Sequence, residues 1–323
     1  MRYVNHSIIA IGASAGGLDV LLTMVGDLPA NLPASLFVAV HSAQGFSDAL
    51  PQLLNHHGTL PASYPLHGER IEARRIYVAP PDNHLYLRQG SMDIVRGPKE
   101  NGHRPSVDAL FRTASMAYGP SVVGVVLSGY QDCGTAGMMS IKARGGVSVV
   151  QDPATALIPE MPHSVIDKVA VDHIVTPLEL SKLLTRLAAE RAGPAKEPDR
   201  DVLSLEGTEP GTAAELVCPI CQGVLTEVHP KLFTHFRCHV GHAFSLQSLV
   251  NEQSEEIERA LWAAVRALEE SAALSRRLFG IEKGAAMKER FAERAKTQGD
   301  QADLIRQILL HGTMLSPEDA RKV

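Results

Sequence analysis

The sequence predicts an α/β protein with a doubly wound, mostly parallel sheet and helices on both faces, followed by a small cysteine-rich module and a C-terminal helical hairpin. Three observations predict this architecture. Residues 1–191 alternate short β-branched runs with helical stretches, three of the four cysteines lie within residues 218–238, and two long amphipathic segments follow. A chain of 323 residues is long enough for more than one domain.

The strands are predicted from apolar runs that are too short for helices. They are residues 8–11, "SLFVAV" at 35–40, "SVVGVVLSG" at 121–129 and "GVSVVQD" at 146–152. Runs of this kind between helical stretches are typical of buried parallel strands. The residues around the turn "PPDN" at 80–83 predict a hairpin added at one edge, with Tyr77 and Val78 before the turn and residues 85–87 after it.

Three chemically active side chains each follow one of the apolar runs: Ser14 in "GASAG", His41 in "FVAVHSAQGFS" and Asp132 in "VVLSGYQDCGTAGM". Ligands of parallel sheets bind at the carboxyl ends of the strands, so we expect the three to meet there. They have the residue types of a nucleophile, a general base and the acid that orients the base. The alternative for His41 is a histidine that only fills a loop.

The glycines around Ser14 allow a second interpretation, a phosphate-binding loop. "GASAG" fits the loose G-x-S-x-G pattern, a strand-to-helix turn that exposes the serine. A dinucleotide site needs G-x-G-x-x-G and a P-loop needs Gly-Lys-Ser/Thr, and this stretch has neither. The nucleophile interpretation is therefore preferred.

Residues 192–215 predict a linker, because they are rich in proline, glycine and acids and show no period. Residues 216–244 follow as a zinc-ribbon-like module. They contain Cys218-x2-Cys221 and Cys238-x3-His242, the ligand types and pairing of tetrahedral Zn(II). With four protein ligands the metal has no open position, so its predicted role is structural. The fourth-ligand alternatives are His239, His229 and His235, and the alternative to a metal is three buried reduced cysteines.

Residues 245–323 predict two amphipathic helices separated by "GIEKG" at 280–284. The helices are expected to pack on each other. The alternative is that their apolar faces form a surface that binds a helix of a partner protein. The apolar positions at helical spacing are Ile257, Leu261, Val265, Leu268 and Ala272 in the first helix, and Met287, Phe291, Ala295, Ala302, Ile305 and Leu309 in the second.

The charge and the N-terminal sequence exclude several classes of partner. The formal net charge of −5 gives no electrostatic reason to expect nucleic acid or an anionic membrane. No apolar run approaches the ~18 residues of a membrane span, and the N-terminus lacks the apolar core of a signal peptide. We expect a cytoplasmic protein without direct membrane insertion.

Six stretches together resemble one known family. The runs "AIGASAGG", "VHSAQGF", "GERI…IYVAPPDNHL", "RPSVDALF", "VVLSGYQDCGTAGM" and "EMPHSVI" occur in the order seen in the CheB-type protein-glutamate methylesterases of bacterial chemotaxis. The resemblance covers about residues 5–190. It implies a doubly wound esterase with a Ser-His-Asp triad and no catalytic cofactor, which removes methyl groups from glutamate methyl esters on chemoreceptors or related signalling proteins. Some family members also deamidate glutamines.

Carried over by position, the resemblance assigns the nucleophile to Ser14 and the general base to His41. The backbone N–H groups of Ala15 and Tyr130 are candidates for the oxyanion hole. Arg104 lies in a matching segment, but a structural ion pair, with an acid such as Asp108, explains it equally well. In many stand-alone relatives a similar Cys-x2-Cys…Cys-x3-His module follows the esterase part.

This sequence departs from the family pattern at the triad acid. The position directly before Gly134, where the family has aspartate, is Cys133, and Asp132 lies one residue earlier. We expect Asp132 to substitute; if it does not, the chain is a weak esterase or an adaptor that binds a receptor or regulator without turnover. The chain also begins at the esterase strand rather than with the phospho-acceptor receiver domain common in this family, so regulation is expected to come from elsewhere or to be absent.

Overall fold

The computed structural model describes residues 6–41, 49–191, 212–228 and 235–311. The chain divides into two compact units, residues 1–248 and residues 249–323. The first unit holds the sheet and the cysteine-rich module, and the second holds most of the helical hairpin.

Seven strands of the first unit form one parallel sheet. They are β1 (Ser7–Ala13), β2 (Ala34–Val40), β3 (Ala62–Ser63), β4 (Ile76–Val78), β7 (Val122–Val126), β8 (Val147–Gln151) and β9 (His173–Val175). Their spatial order is β3-β4-β2-β1-β7-β8-β9, and every pairing is parallel. The predicted parallel sheet is confirmed. Because β2, β1 and β7 are neighbours, the residues that follow these three strands emerge side by side at one edge.

Helices cover both faces of this sheet, as the sequence predicts. They are α1 (Gly17–Gly26), α2 (Leu50–His57), α3 (Val107–Tyr118), α4 (Thr135–Ala143), α5 (Glu160–Lys168) and α6 (Pro177–Arg191). Alternate side chains of a strand point to opposite faces. In β1, Ile9 and Ile11 join a core with α1, α2 and α6, whereas Ile8 and Ala10 join a second core with α3, α4 and α5.

The edge hairpin differs from the sequence expectation in its turn. Strands β5 (His84–Arg88) and β6 (Ser91–Val95) pair with each other in a separate two-stranded sheet. Their turn contains Gly90, whose φ of 79° a glycine adopts without strain. Tyr77 and Val78 instead pair in parallel with β2, because their strand belongs to the main sheet.

The cysteine-rich module is a four-stranded antiparallel sheet of β10 (Thr212–Val217), β11 (Val224–Val228), β12 (His235–Cys238) and β13 (Ala243–Phe244). The first of these strands begins at Thr212, inside the predicted linker, because Thr212 and Ala213 pair with β11. The rest of that linker, residues 192–211, lies outside the described residues.

The predicted helical hairpin is confirmed. It consists of α7 (Leu246–Ile281) and α8 (Ala285–His311). Of the positions predicted to face the partner helix, Val265, Ala272, Ala295 and Ala302 are buried. Ile257 and Met287 are exposed. A side-chain hydrogen bond from the Gln298 amide to the Ser271 hydroxyl (2.8 Å) joins the two helices.

We predict that Gly137→Ala destabilises the first unit, because α3 and α4 touch at this glycine. A Cβ at Gly137 would lie 2.5 Å from the Phe111 Cβ and 3.0 Å from the Asp108 Cα. Crowding of this kind costs about 1–3 kcal/mol. Gly97→Ala is the matched control, since its Cβ would meet no atom closer than 3.6 Å.

The measurement is urea unfolding followed by near-ultraviolet circular dichroism of the tyrosines. All six tyrosines lie within the first 130 residues, whereas the single tryptophan, Trp262, is in α7. The tyrosine signal therefore follows the first unit and Trp262 fluorescence follows the second. Equal midpoints for Gly137→Ala and Gly97→Ala in the tyrosine signal would contradict the prediction.

Candidate functional site

Ser14 lies in a tight turn between β1 and α1. Its N–H donates to the Ser128 carbonyl (2.9 Å), and its own carbonyl accepts from the Gly17 N–H (3.0 Å). Gly16 has a φ of 76°, and a Cβ at Gly17 would lie 2.9 Å from the Ser128 carbonyl oxygen. The two glycines therefore let the chain turn directly over the end of β7. This turn places Ser14 before the N-terminus of α1, as the motif predicts.

His41 follows β2 and is anchored to the neighbouring strand, because its N–H donates to the Ala13 carbonyl (3.0 Å). Its ring stacks on the ring of His103, with 3.8 Å between centroids and 15° between planes. Both ring nitrogens are buried, and neither has a hydrogen-bond partner among the described residues. Burial, and secondarily His103, lower the pKa of His41 well below its usual 6.5. A lowered pKa favours the neutral ring, the form in which a general base accepts a proton.

Ser14 and His41 line the same cavity, of about 660 Å³. The other described residues that line it are Ala15, Gly16, Leu18, Val40, Leu50, Val78, Ala79, Pro81, Asp82, Lys99, Gly102, His103, Arg104 and Pro105. Residues 42–48, which follow His41, lie outside the described residues. The cavity opens at the carboxyl ends of adjacent strands, where the sequence places the site.

Arg104 is held in a structural ion pair. Its guanidinium bonds to the Asp82 carboxylate (2.5 Å), and its Nη1 donates to the Gly97 carbonyl (2.6 Å). The hydrogen bond from Arg104 lowers the pKa of Asp82. The ion-pair interpretation of Arg104 thus fits the structure, with Asp82 rather than Asp108 as its partner. Both residues line the cavity.

Asp132 is not hydrogen-bonded to His41. Its carboxylate is buried, and its Oδ1 accepts from the Ser245 hydroxyl (2.9 Å). Its Oδ2 lies 3.8 Å from the Lys168 ammonium. Burial raises the pKa of Asp132, and the bond from Ser245 partly opposes that rise. The structure therefore places Ser14 and His41 on the same cavity, without a hydrogen bond between them, and directs the third predicted member towards Ser245.

Cys133 belongs to the core that α3, α4 and α5 form with the sheet. It is fully buried, and its Sγ lies 3.6 Å from the hydroxyl of Ser106, the N-cap of α3. Burial, and then the neighbouring Asp108, raise the pKa of the Cys133 thiol well above its usual value. A neutral thiol in these surroundings cannot stabilise an imidazolium as a carboxylate would.

The two oxyanion-hole candidates flank the serine. Ala15 lines the cavity next to Ser14. Tyr130 follows Gly129, and a Cβ at Gly129 would lie 2.6 Å from the Ser14 Cβ, so this loop passes directly beside the nucleophile. Their roles stay predictions. His103, in contrast, is a site residue that the sequence reasoning missed, although it directly precedes the stretch "RPSVDALF" that carries part of the resemblance.

The structure brings together Cys218, Cys221, Cys238 and His242. All four ligand atoms lie within 4.8 Å of one another. Cys221 and Cys238 are 3.6 Å apart between sulfurs, and the His242 Nδ1 is 3.7 Å from the Cys218 sulfur and 3.5 Å from the Cys238 sulfur. Ligands about 2.1–2.3 Å from a tetrahedral zinc are separated by roughly 3.4–3.8 Å, so the cluster has the dimensions of such a site.

The competing histidines are not part of this cluster among the described residues. The ring of His239 lies over Gly223, where a Cβ would come within 2.6 Å of it. His235 begins β12 and is not in the cluster, and His229 lies outside the described residues. In the described part of the chain, no helix has the length and apolar character needed to cross a membrane.

The sheet and its cavity match a known family. The family model for the CheB methylesterase matches residues 9–184. A protein-glutamate methylesterase/protein-glutamine glutaminase of Photorhabdus laumondii is 34% identical over 193 residues, which cover 58% of this chain and 55% of that protein. The chain thus spans about half the length of that relative.

Two further relatives are shorter. A putative protein-glutamate methylesterase/protein-glutamine glutaminase of Leptospira interrogans is 33% identical over 185 residues, which cover 57% of this chain and 96% of that protein. The crystal structure of the Thermotoga maritima CheB methylesterase catalytic domain superposes with a TM-score of 0.55 at 30% identity, covering 56% of this chain and 98% of that domain. With more than half of its length matched by the family model, this chain belongs to the CheB methylesterase family.

Proposed function

We propose that this protein is a protein-glutamate methylesterase that acts on a methylated chemoreceptor or a related signalling protein. The observation that carries the proposal is the meeting of Ser14 and His41 in one cavity, at the ends of adjacent strands. Curated relatives are named for this activity. A cytoplasmic location fits such a substrate, and we place the esterase domain at residues 1–191.

The two side chains divide the reaction between them. The Ser14 hydroxyl attacks the ester carbonyl while His41 takes its proton, and His41 returns that proton to the leaving methanol. Water, activated by His41, then hydrolyses the acyl-serine to the free glutamate. A glutamine side chain would react in the same way and release ammonia, which is the second activity in the names of the relatives.

The site differs from a complete triad in the acid that would orient His41. In the triad, the acid holds the imidazole in the productive tautomer, and its loss costs about 10⁴ in kcat. The Asp132 carboxylate is engaged by Ser245, and neither His41 nitrogen has a partner among the described residues. We therefore propose a slow esterase in which stacking on His103, rather than a hydrogen bond, restrains the His41 ring.

The test is methanol release from methylated receptor fragments, together with labelling by a fluorophosphonate. We expect slow release by the wild type and a label on Ser14. Asp132→Asn should change the rate little, since it keeps the size of the side chain and a carbonyl acceptor for Ser245. A fall of about 10⁴-fold would instead assign the orienting role to Asp132.

An adaptor that binds without turnover is the second candidate, favoured because no described residue, acid or otherwise, is hydrogen-bonded to the His41 ring. It would be supported by a wild type that releases no methanol but binds a methylated receptor fragment as tightly as Ser14→Ala does. Restoration of turnover by Cys133→Asp would then show that only the acid is lacking.

The pH dependence follows from the lowered pKa of His41. A general base works only when unprotonated, so a base with a lowered pKa stays active in more acidic solution. We expect the acid limb of kcat/KM well below pH 6.5. In His103→Ala the acid limb should move to higher pH, because the substitution reduces both the burial of His41 and the charge interaction with His103 that lower the His41 pKa. A wild-type acid limb at or above pH 6.5 would contradict the prediction.

For the cysteine-rich module we propose a structural Zn(II) site of Cys218, Cys221, Cys238 and His242, on the strength of the ligand distances. Thiolates and an imidazole are ligands that zinc prefers, and four protein ligands leave no position for a substrate. The metal would hold together the ends of short strands that otherwise have little core.

A further inference from the structure

The cysteine-rich module touches the esterase part at residues 97–104, which we name the wall loop. The Ala243 N–H in β13 donates to the Lys99 carbonyl (3.3 Å), and the Ala243 carbonyl accepts from the Asn101 N–H (2.7 Å). A Cβ at Gly241 would lie 3.0 Å from Pro98. The module therefore extends its own sheet onto the wall loop by backbone pairing.

A buried polar network fastens the same contact. The Asn101 side-chain oxygen accepts from the Ser245 N–H (2.9 Å) and the Ser248 hydroxyl (2.8 Å), and its amide donates to Asp108 (2.7 Å). The Ser245 hydroxyl donates to Asp132 (2.9 Å). All five side chains are buried. Buried polar groups are costly to leave unpaired, so this network fixes one arrangement of the contact.

The wall loop also forms the side of the catalytic cavity. Lys99, Gly102, His103 and Arg104 line it, and the His103 ring stacks on His41. Since no hydrogen bond from a described residue holds the His41 ring, this stacking is a direct restraint on the general base.

The metal cluster is joined to the wall loop through a few residues. Cys238 ends β12, and His242 directly precedes Ala243, the residue that pairs with the wall loop. An ion bound by Cys238 and His242 would close the turn between β12 and β13, and so fix where Ala243 meets Lys99 and Asn101.

We propose that metal binding in the Cys/His cluster positions the catalytic base: the closed β12–β13 turn holds the wall loop, and the wall loop holds His103 on His41. His103 is a positioning residue in this scheme, and Asp132 serves the contact with the module. The effect on turnover rests on the proposed esterase function, whereas the effect on the His41 ring does not.

The ring can be observed directly. In the full chain labelled with ¹³C at the histidine Cε1, the His41 signal is assigned by its loss in His41→Gln. The stacked His103 ring shifts this signal, and His103→Ala defines its unstacked position. Removal of zinc with a chelator should move the His41 signal to that position, and added Zn²⁺ should return it. A His41 signal that is unchanged in the zinc-free chain overturns the proposal.

Ser245→Ala tests the same link without touching a metal ligand. It should keep its zinc and yet shift the His41 signal towards the unstacked position. Ser254→Ala is the matched control, because among the described residues the hydrogen bond of that hydroxyl goes to the Val250 carbonyl of its own helix. If the His41 signal has the same position in Ser245→Ala as in Ser254→Ala, the buried network does not influence the His41 ring and the proposal fails.

Turnover gives the second measure. Loss of positioning should lower methanol release by roughly 10- to 100-fold in the zinc-free chain and in His103→Ala. His103→Phe keeps a flat ring that can stack on His41, so it should retain most of the rate. If His103 acted through hydrogen bonds of its ring nitrogens instead, His103→Phe would lose as much activity as His103→Ala. If the wild type releases no methanol, the esterase proposal is wrong. The positioning proposal is then still tested by the His41 signal, which does not depend on turnover.

Discussion

Ser14→Ala should lower methanol release by about 10²-fold, far less than in a complete triad. In serine hydrolases, removal of the nucleophile costs about 10⁶ in kcat and removal of the acid alone about 10⁴, and the losses do not add because the residues act as a unit. In a site whose base already lacks its acid, kcat is already lower by about 10⁴. Removal of the nucleophile can then lower kcat by only the remaining factor of about 10². Neither nitrogen of His41 bonds to Asp132, which places this protein in that class.

The measurement is the single-turnover rate of methanol release from a methylated receptor fragment, with Ser254→Ala as the control for loss of a serine hydroxyl. A drop near 10⁶-fold would show that the imidazole is fully oriented during catalysis and would contradict our account of Asp132. A rate equal to that of the wild type would show that the observed release does not depend on Ser14 at all.

Cys218→Ser should abolish zinc binding and unfold the strands of the module. Zinc in small sites of this kind contributes about 10–16 kcal/mol at neutral pH, more than the small buried core of a four-stranded module can supply. Cys133→Ser is the matched control, since Cys133 is a buried cysteine outside the cluster. We expect one zinc per chain in Cys133→Ser and none in Cys218→Ser.

Metal content by atomic emission and protease sensitivity of residues 212–244 give the result. Cleavage should appear in this range for Cys218→Ser, while the Trp262 fluorescence of the second unit keeps its unfolding transition. A full complement of zinc in Cys218→Ser would mean that another set of ligands holds the metal, and the four-ligand site would be wrong.

The sequence predicted those parts of the fold that local pattern determines. Apolar runs located the long central strands, and the spacing of apolar residues located α7 and α8. The pairing of Tyr77 and Val78 was not predictable in this way, since a short apolar run carries no information on which strand it will join.

The candidate site shows the same division. Ser14 and His41 were predictable because each follows a strand, and parallel strands end at a common edge. The partner of Asp132 was not, because Ser245 lies 113 positions away and a hydroxyl has no sequence pattern that marks it as a partner. The one-residue shift from the family position was visible in the sequence, but only the structure shows where each of the two side chains points.

The pairing of β13 with the wall loop has a consequence for how the chain can be divided. A fragment that ends near residue 191 would present the Lys99 carbonyl and the Asn101 N–H as an open edge. The carboxylate of Asp132 and the side-chain oxygen of Asn101 would lose the serine donors that they accept from. We therefore expect that the esterase part of this protein cannot be exchanged for that of a relative without such a module unless the module is exchanged with it.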